Sequence, residues 1–141
     1  IQGRETLGGE DGETERSGMI RDYFSRVENE ISRVPMVIEV SFDTTVIDTD
    51  LGYWKATLTF RDGSELHMFE FVAGNGELEV DKYRYHMQDY AHDLLFRYDD
   101  AAHHPEIDTY PDHKHLPDGV NPSQKPSLEQ VLDEAVEKVA L

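Results

Sequence analysis

Residues 54–72 read WKATLTFRDGSELHMFEFV. Trp54, Ala56, Leu58 and Phe60 alternate with Lys55, Thr57, Thr59 and Arg61, and after Arg61-Asp62-Gly63-Ser64 the stretch Glu65–Val72 returns as a second strand. An apolar period of two is the mark of a strand with one buried face, and Asp-Gly is a tight-turn pair, so this stretch reads as a β-hairpin. The pattern extends in both directions. Upstream, Met36, Ile38, Val40 and Phe42 alternate with Val37, Glu39 and Ser41. Downstream, Ala73-Gly74-Asn75-Gly76 makes another turn, and Glu77–Gln88 and Asp93–Tyr98 read as further strands. Short connections join antiparallel neighbours, which predicts a meander of about five strands.

Two helices flank the strands. Ile20, Tyr23, Phe24, Val27, Ile31 and Val34 form an i, i+3, i+4, i+7 stripe closed by Pro35. At the other end, Ser127 with Gln130 three residues on makes a capping box, ahead of Leu128, Val131, Leu132, Ala135, Val136 and Val139. The expected fold is therefore α+β: an antiparallel meander covered by an N-terminal and a C-terminal helix. Residues 1–18 are expected to be a flexible acidic extension, and residues 19–141 a single domain. Within it, 99–126 holds five of the six prolines and four of the seven histidines, and reads as a long loop.

The chain has 141 residues and a formal charge of −17, with 30 Asp and Glu against 13 Lys and Arg. Cysteine is absent, which excludes disulfides, thiolate metal sites and cysteine nucleophiles. Apolar residues at 38% and aromatics at 10% stand against wholesale disorder, and the carboxylate excess reads as a salt-adapted, halophilic surface. At about 1 M salt the Debye length is roughly 3 Å, so only charges in near contact count and a polyanionic ligand is not excluded. No apolar run is long enough to span a bilayer, and no membrane partner is expected.

Six of the seven histidines lie between 86 and 115, together with Lys82, Arg84, Arg97 and Lys114. On an extended strand Lys82, Arg84 and His86 share one face, opposite Tyr83, Tyr85 and Met87. Phosphodiester cleavage without a metal needs a base, an acid and a cation for the charge that gathers on phosphorus. Histidine supplies the first two near neutral pH, and Arg or Lys the third. The candidate catalytic residues are thus Arg84, Arg97, His103, His104, His113 and His115, with Lys82, Arg84, Arg97 and Lys114 as the nucleic-acid-binding set. His67 and His92 read as ordinary surface histidines. A metal held by His103, His104, His113 and His115, with Asp99-Asp100 and Asp112 available as oxygen ligands, is the chemical rival. Against it, adjacent histidines on an extended chain point apart, and Lys114 would put a cation beside the ion. No resident metal or other cofactor is expected.

The series Lys82-Tyr83-Arg84-Tyr85-His86, Phe96-Arg97-Tyr98-Asp99, His103-His104-Pro105 and His113-Lys114-His115-Leu116-Pro117-Asp118-Gly119 resembles the TumE family of toxin–antitoxin toxins. Pro126-Ser127-Leu128-Glu129 ahead of the last helix matches the same pattern, and the resemblance covers about residues 36–140. The chain departs from it at Ala101-Ala102, where the family often has a proline, and at Asp112, where it often has another histidine. The resemblance implies a cytoplasmic toxin with a cognate antitoxin as partner, and ribonuclease action is the commonest chemistry among such toxins. The expected function is a metal-independent ribonuclease or RNA-binding toxin, with RNA as a further partner and a homo-oligomer compatible with the sequence. Two alternatives stand beside it: a non-catalytic module that docks an acidic partner, and a metal-dependent hydrolase.

Overall fold

The computed structural model describes residues 8–74 and 76–140, with side chains described from Met19 onward. Helix α1 (Gly8–Ser32) is followed by seven strands: β1 (Val37–Asp48), β2 (Leu51–Phe60), β3 (Glu65–Gly74), β4 (Leu78–Gln88), β5 (Leu94–Asp99), β6 (His113–Leu116) and β7 (Gly119–Pro122). Helix α2 (Leu128–Lys138) closes the chain. The strands form one sheet in sequential order, each antiparallel to the next. The α+β meander with two covering helices is as expected from the sequence. Its strand number is seven, because the long segment 99–126 contains a small hairpin, β6–β7, that pairs with β5. Four-residue strands are too short to show a period, which is why they were invisible in the hydropathy pattern.

Local chemistry explains the turns. At the β2–β3 hairpin Gly63 takes φ +87, a left-handed conformation that favours glycine, and its N–H donates to the Phe60 carbonyl at 2.9 Å. The Asp62 carboxylate accepts from the Ser64 N–H at 2.9 Å and the Ser64 hydroxyl at 2.6 Å, and its other oxygen accepts from the Ala140 N–H at 2.8 Å. At the β4–β5 turn Asp89 accepts from the N–H groups of Ala91 and Asp93 at 2.9 and 3.0 Å.

Helix α2 carries the capping box: the Gln130 N–H donates to the Ser127 hydroxyl at 3.1 Å, and the Ser127 N–H donates to the Gln130 side chain at 2.9 Å. Helix α1 starts at Gly8, twelve residues ahead of the apolar stripe, so its first turns run through the segment expected to be an extension. Residues 1–7 of that extension lie outside the described residues.

The core lies between the helices and one face of the sheet. Trp54, Ala56, Leu58 and Phe60 of β2, Leu66, Met68 and Val72 of β3, Tyr83, Tyr85 and Met87 of β4, and Phe96 of β5 are buried there. They meet Ile20, Phe24, Val27 and Ile31 of α1 and Val131, Leu132 and Ala135 of α2. Each fully buried large apolar side chain contributes on the order of 1.5–3 kcal/mol, so this face holds the sheet and helices together.

One polar group interrupts the core. Glu70, 1% exposed, accepts from Trp54 Nε1 at 2.8 Å and from the hydroxyls of Tyr23 and Tyr85. Burial, and then the Glu70 carboxylate, push the Tyr23 and Tyr85 hydroxyls well above the ordinary tyrosine range, so both stay donors.

Candidate functional site

The opposite face of the sheet carries the chemistry. Residues directly opposite each other in an antiparallel pair share a face, so the register writes out two rungs across it. One runs Asp43, Lys55, Phe69, Arg84, Asp99, His113 through β1–β6; the next runs Ser41, Thr57, His67, His86, Arg97, His115. Residues as distant in sequence as Ser41 and His115 are thereby laid along one surface. Both rungs run on to Pro122 and Val120 of β7, and the segment that follows β5 folds back over the β5–β6 end.

At that end a cluster forms. The rings of His104, His113 and His115 surround a common point, with centroids 5.3 Å apart for His104–His113, 5.8 Å for His104–His115 and 4.9 Å for His113–His115. One nitrogen from each lies within 4.8 Å of the others. His113 and His115 stand two apart on β6 and therefore face the same way; His104 comes from the segment joining β5 to β6.

The Asp99 carboxylate sits against them. Oδ1 is 2.9 Å from His113 Nε2, and Oδ2 is 3.7 Å from His115 Nε2 and 3.2 Å from Arg97 Nε. Asp99 Oδ1 also accepts from the Ala101 N–H at 3.0 Å, which starts the turn leading to His104. On its far side, His113 Nδ1 lies 2.7 Å from the Pro111 carbonyl, and a carbonyl can only accept, so Nδ1 carries hydrogen. His104 Nδ1 faces Glu106 at 3.2 Å.

Exposure separates the roles. His113 is buried, while His104 and His115 are half-buried and reachable from solvent. Burial pushes the His115 ring below the ordinary histidine value; Asp99 opposes that, and His113, Arg97 and His104 reinforce it. His86 is lowered first by burial, against a hydrogen bond with Gln88, with Arg97, His67 and Arg84 adding to the shift. Its Nδ1 is buried without a hydrogen-bond partner. Arg97 Nε also lacks a hydrogen-bond geometry, although it lies within ion-pair distance of Asp99; the contact is charge against charge rather than an aligned bond.

Beside the cluster, Phe69, Lys82, Arg84, Arg97 and Asp99 line a cavity of about 280 Å³. A second, of about 340 Å³, continues it across β2 and β1 past Lys55, Thr57, His67, Phe69 and Arg84. Phe69 packs against Tyr53 with centroids 5.7 Å apart.

Of the residues singled out in the sequence, Arg84, Arg97, His104, His113 and His115 come together here, and Lys82 lines the rim of the cavity. Lys114 does not. It projects from the other side of β6, donates to Glu134 of α2 at 2.8 Å and lies 4.7 Å over the Tyr98 ring. His103 is exposed and lies outside the triad of His104, His113 and His115. His67 pairs with Glu65 at 2.9 Å and His92 is exposed in the β4–β5 turn. Asp99 reads in the sequence only as an oxygen ligand for the metal alternative; the pairing of β5 with β6 sets it between an arginine and two histidines.

Fold and site together define a half-covered α+β sheet whose open face ends in an imidazole–carboxylate–guanidinium cluster. The chain belongs to the TumE toxin family: the family model described as Toxin TumE matches residues 25–140, which span β1 to α2 and every residue of the cluster. No curated protein and no solved structure matches the chain. Among the described residues, no helix is long and apolar enough to cross a membrane.

Proposed function

We propose that this toxin cleaves RNA by its own histidine and arginine side chains. The observation that carries this reading is the convergence of His104 and His115 beside Arg97, with Arg84 lining the adjoining cavity. One accessible imidazole takes the proton from a ribose 2′-hydroxyl, whose oxygen attacks phosphorus. The other gives a proton to the departing 5′-oxygen, leaving a 2′,3′-cyclic phosphate and a 5′-hydroxyl. Arg84 and Arg97 hold the phosphate and offset its growing charge. His113 and Asp99 position the cluster from below: His113 is buried, its Nδ1 held by the Pro111 carbonyl and its Nε2 facing Asp99. The strip of Lys55, Phe69 and Tyr53 beside the site suits a single strand, whose bases stack on aromatic rings while its phosphates meet cations. In a chain of charge −17, this surface is where a polyanion meets the least repulsion. Membership of a toxin family implies an antitoxin partner that restrains the activity.

The test is cleavage of a labelled single-stranded RNA oligonucleotide in about 1 M KCl with a chelator present. Cyclic-phosphate ends are expected, the all-deoxy strand should remain intact, and His104→Ala, His115→Ala and Arg84→Ala should each lose roughly 10²–10⁴-fold at unchanged fold. Cleavage that survives these substitutions overturns the assignment. A second reading is favoured by one observation: Asp99 already sets a carboxylate against Arg97, His113 and His115. An acidic protein segment could be held by the same groups without turnover. Binding of such a partner that tracks Arg84 and Arg97, with no RNA product, would favour it.

A further inference from the structure

We infer that His104, His113 and His115 form a binding site for a Zn²⁺-class transition-metal ion, beside the Asp99 carboxylate. The objection that adjacent histidines point apart holds for His103, which lies outside the group, but His113 and His115 stand two apart on β6 and face the same side. The objection from Lys114 falls, because Lys114 turns away to Glu134.

Three features support it. The first is donor convergence. The three nitrogens lie within 4.8 Å of one another, and a tetrahedral ion with bonds of 2.0–2.1 Å needs them about 3.3 Å apart. A small turn of His104, on its connecting segment, closes much of that gap. The second is orientation from outside the cluster. His113 meets the Pro111 carbonyl and His104 meets Glu106, each through Nδ1, so both rings are oriented by groups outside the three; metal-ligating histidines characteristically show this arrangement. The third is charge. The Asp99 carboxylate lies 2.9 Å from His113 Nε2 and 3.7 Å from His115 Nε2, so a negative group stands beside the donors and offsets the charge of a cation held there. A set of imidazole nitrogens suits Zn²⁺, Ni²⁺ or Cu²⁺ and not Mg²⁺ or Ca²⁺.

A bound ion would use the nitrogens that RNA cleavage requires, so metal and catalysis compete. That coupling rests on the reading of function above; the metal site does not. Arg97 bears on the two differently. It holds phosphate, yet it draws on Asp99 Oδ2 at 3.2 Å and adds positive charge beside the ion.

The full chain, stripped with a chelator and desalted, is titrated with Co²⁺ followed by visible absorption, then with Zn²⁺ by calorimetry. One ion per chain with a tetrahedral Co²⁺ spectrum is expected. Affinity should fall at least about 100-fold in His104→Ala and in His115→Ala, stay unchanged in His92→Ala, and rise in Arg97→Ala. Circular dichroism and melting confirm that each variant is folded. Absence of saturable binding at micromolar metal, or binding indifferent to His104 and His115, overturns the site. In parallel, Zn²⁺ should suppress RNA cleavage and chelator should restore it. Binding without suppression overturns the competition. Absence of cleavage under every condition overturns the functional reading and leaves the spectroscopic result to decide the metal site alone.

Discussion

Asp99 and His113 are joined across the β5–β6 pair by a 2.9 Å contact between Oδ1 and Nε2, with both groups almost wholly buried. Asp99→Asn keeps the size of the side chain and removes its charge. RNA cleavage should fall by roughly 10–100-fold, the usual cost of losing a positioning partner, while the melting temperature moves little. Asp99→Glu, tested in the same oligonucleotide assay, should recover part of the loss. Full activity in Asp99→Asn would remove Asp99 from the mechanism.

Glu70 makes the core's own prediction. Glu70→Leu removes the acceptor shared by Trp54, Tyr23 and Tyr85 and strands three donors. An unpaired buried donor costs about 1–3 kcal/mol, and the loss of a buried charge offsets part of that. The net expectation is destabilisation on the order of 3 kcal/mol by urea unfolding. A variant as stable as the parent would mean the network contributes nothing net.

Lys114 bridges β6 to α2 and lies far from the open face by orientation. Lys114→Met should cost about 1 kcal/mol through the lost partly exposed ion pair and ring contact. RNA cleavage should remain at the parental level. Cleavage lost from a variant of parental stability would return Lys114 to the site.

Stability should depend on pH in two windows. His86 is harder to protonate in the folded state, chiefly through burial, so the unfolded chain binds the extra proton first. Its contribution is complete above the ordinary value of 6.5 and is lost as pH falls below it. His115 shifts the same way, so His86→Gln should remove part of the slope between pH 7 and pH 5.5 and leave the rest. For Asp62, burial works upward, but hydrogen bonds from Ser64 and Ala140 outweigh it and hold the carboxyl below its ordinary 3.8. Its contribution is present above that value and is lost as pH falls through the lower folded one. Urea midpoints across pH 8 to 3 at fixed salt measure both. A parent curve flat from pH 7 to 5.5 would refute the histidine part.

A formal charge of −17 on 141 residues sets the salt response. Raising KCl from about 0.05 M to 2 M shortens the Debye length to a few ångströms and suppresses carboxylate repulsion. The melting temperature should rise on the order of 10 °C, equivalent to roughly 3 kcal/mol for a chain this long. A melting temperature that falls with added KCl would refute a salt-adapted surface.

The covalent sequence by itself determined the elements that carry a long period or a specific cap. The alternation at Trp54–Phe60, the Asp62-Gly63 turn, the stripe from Ile20 to Ile31 and the Ser127–Gln130 box each hold their information within a few neighbouring residues, and all recur in the structure. Composition also gathered most of the site residues into one stretch of chain. Only the tertiary structure decided which of them meet. Hairpin β6–β7 is too short to announce itself, and its register against β5 set Asp99 beside His113 and Arg97 beside His115. That register also turned Lys114 to the opposite side, because neighbouring residues on a strand face opposite ways and a shift of one position would exchange the two faces. The physical reason is one of range: strand and helix preferences are local, whereas cross-strand pairing depends on contacts between residues distant in the chain.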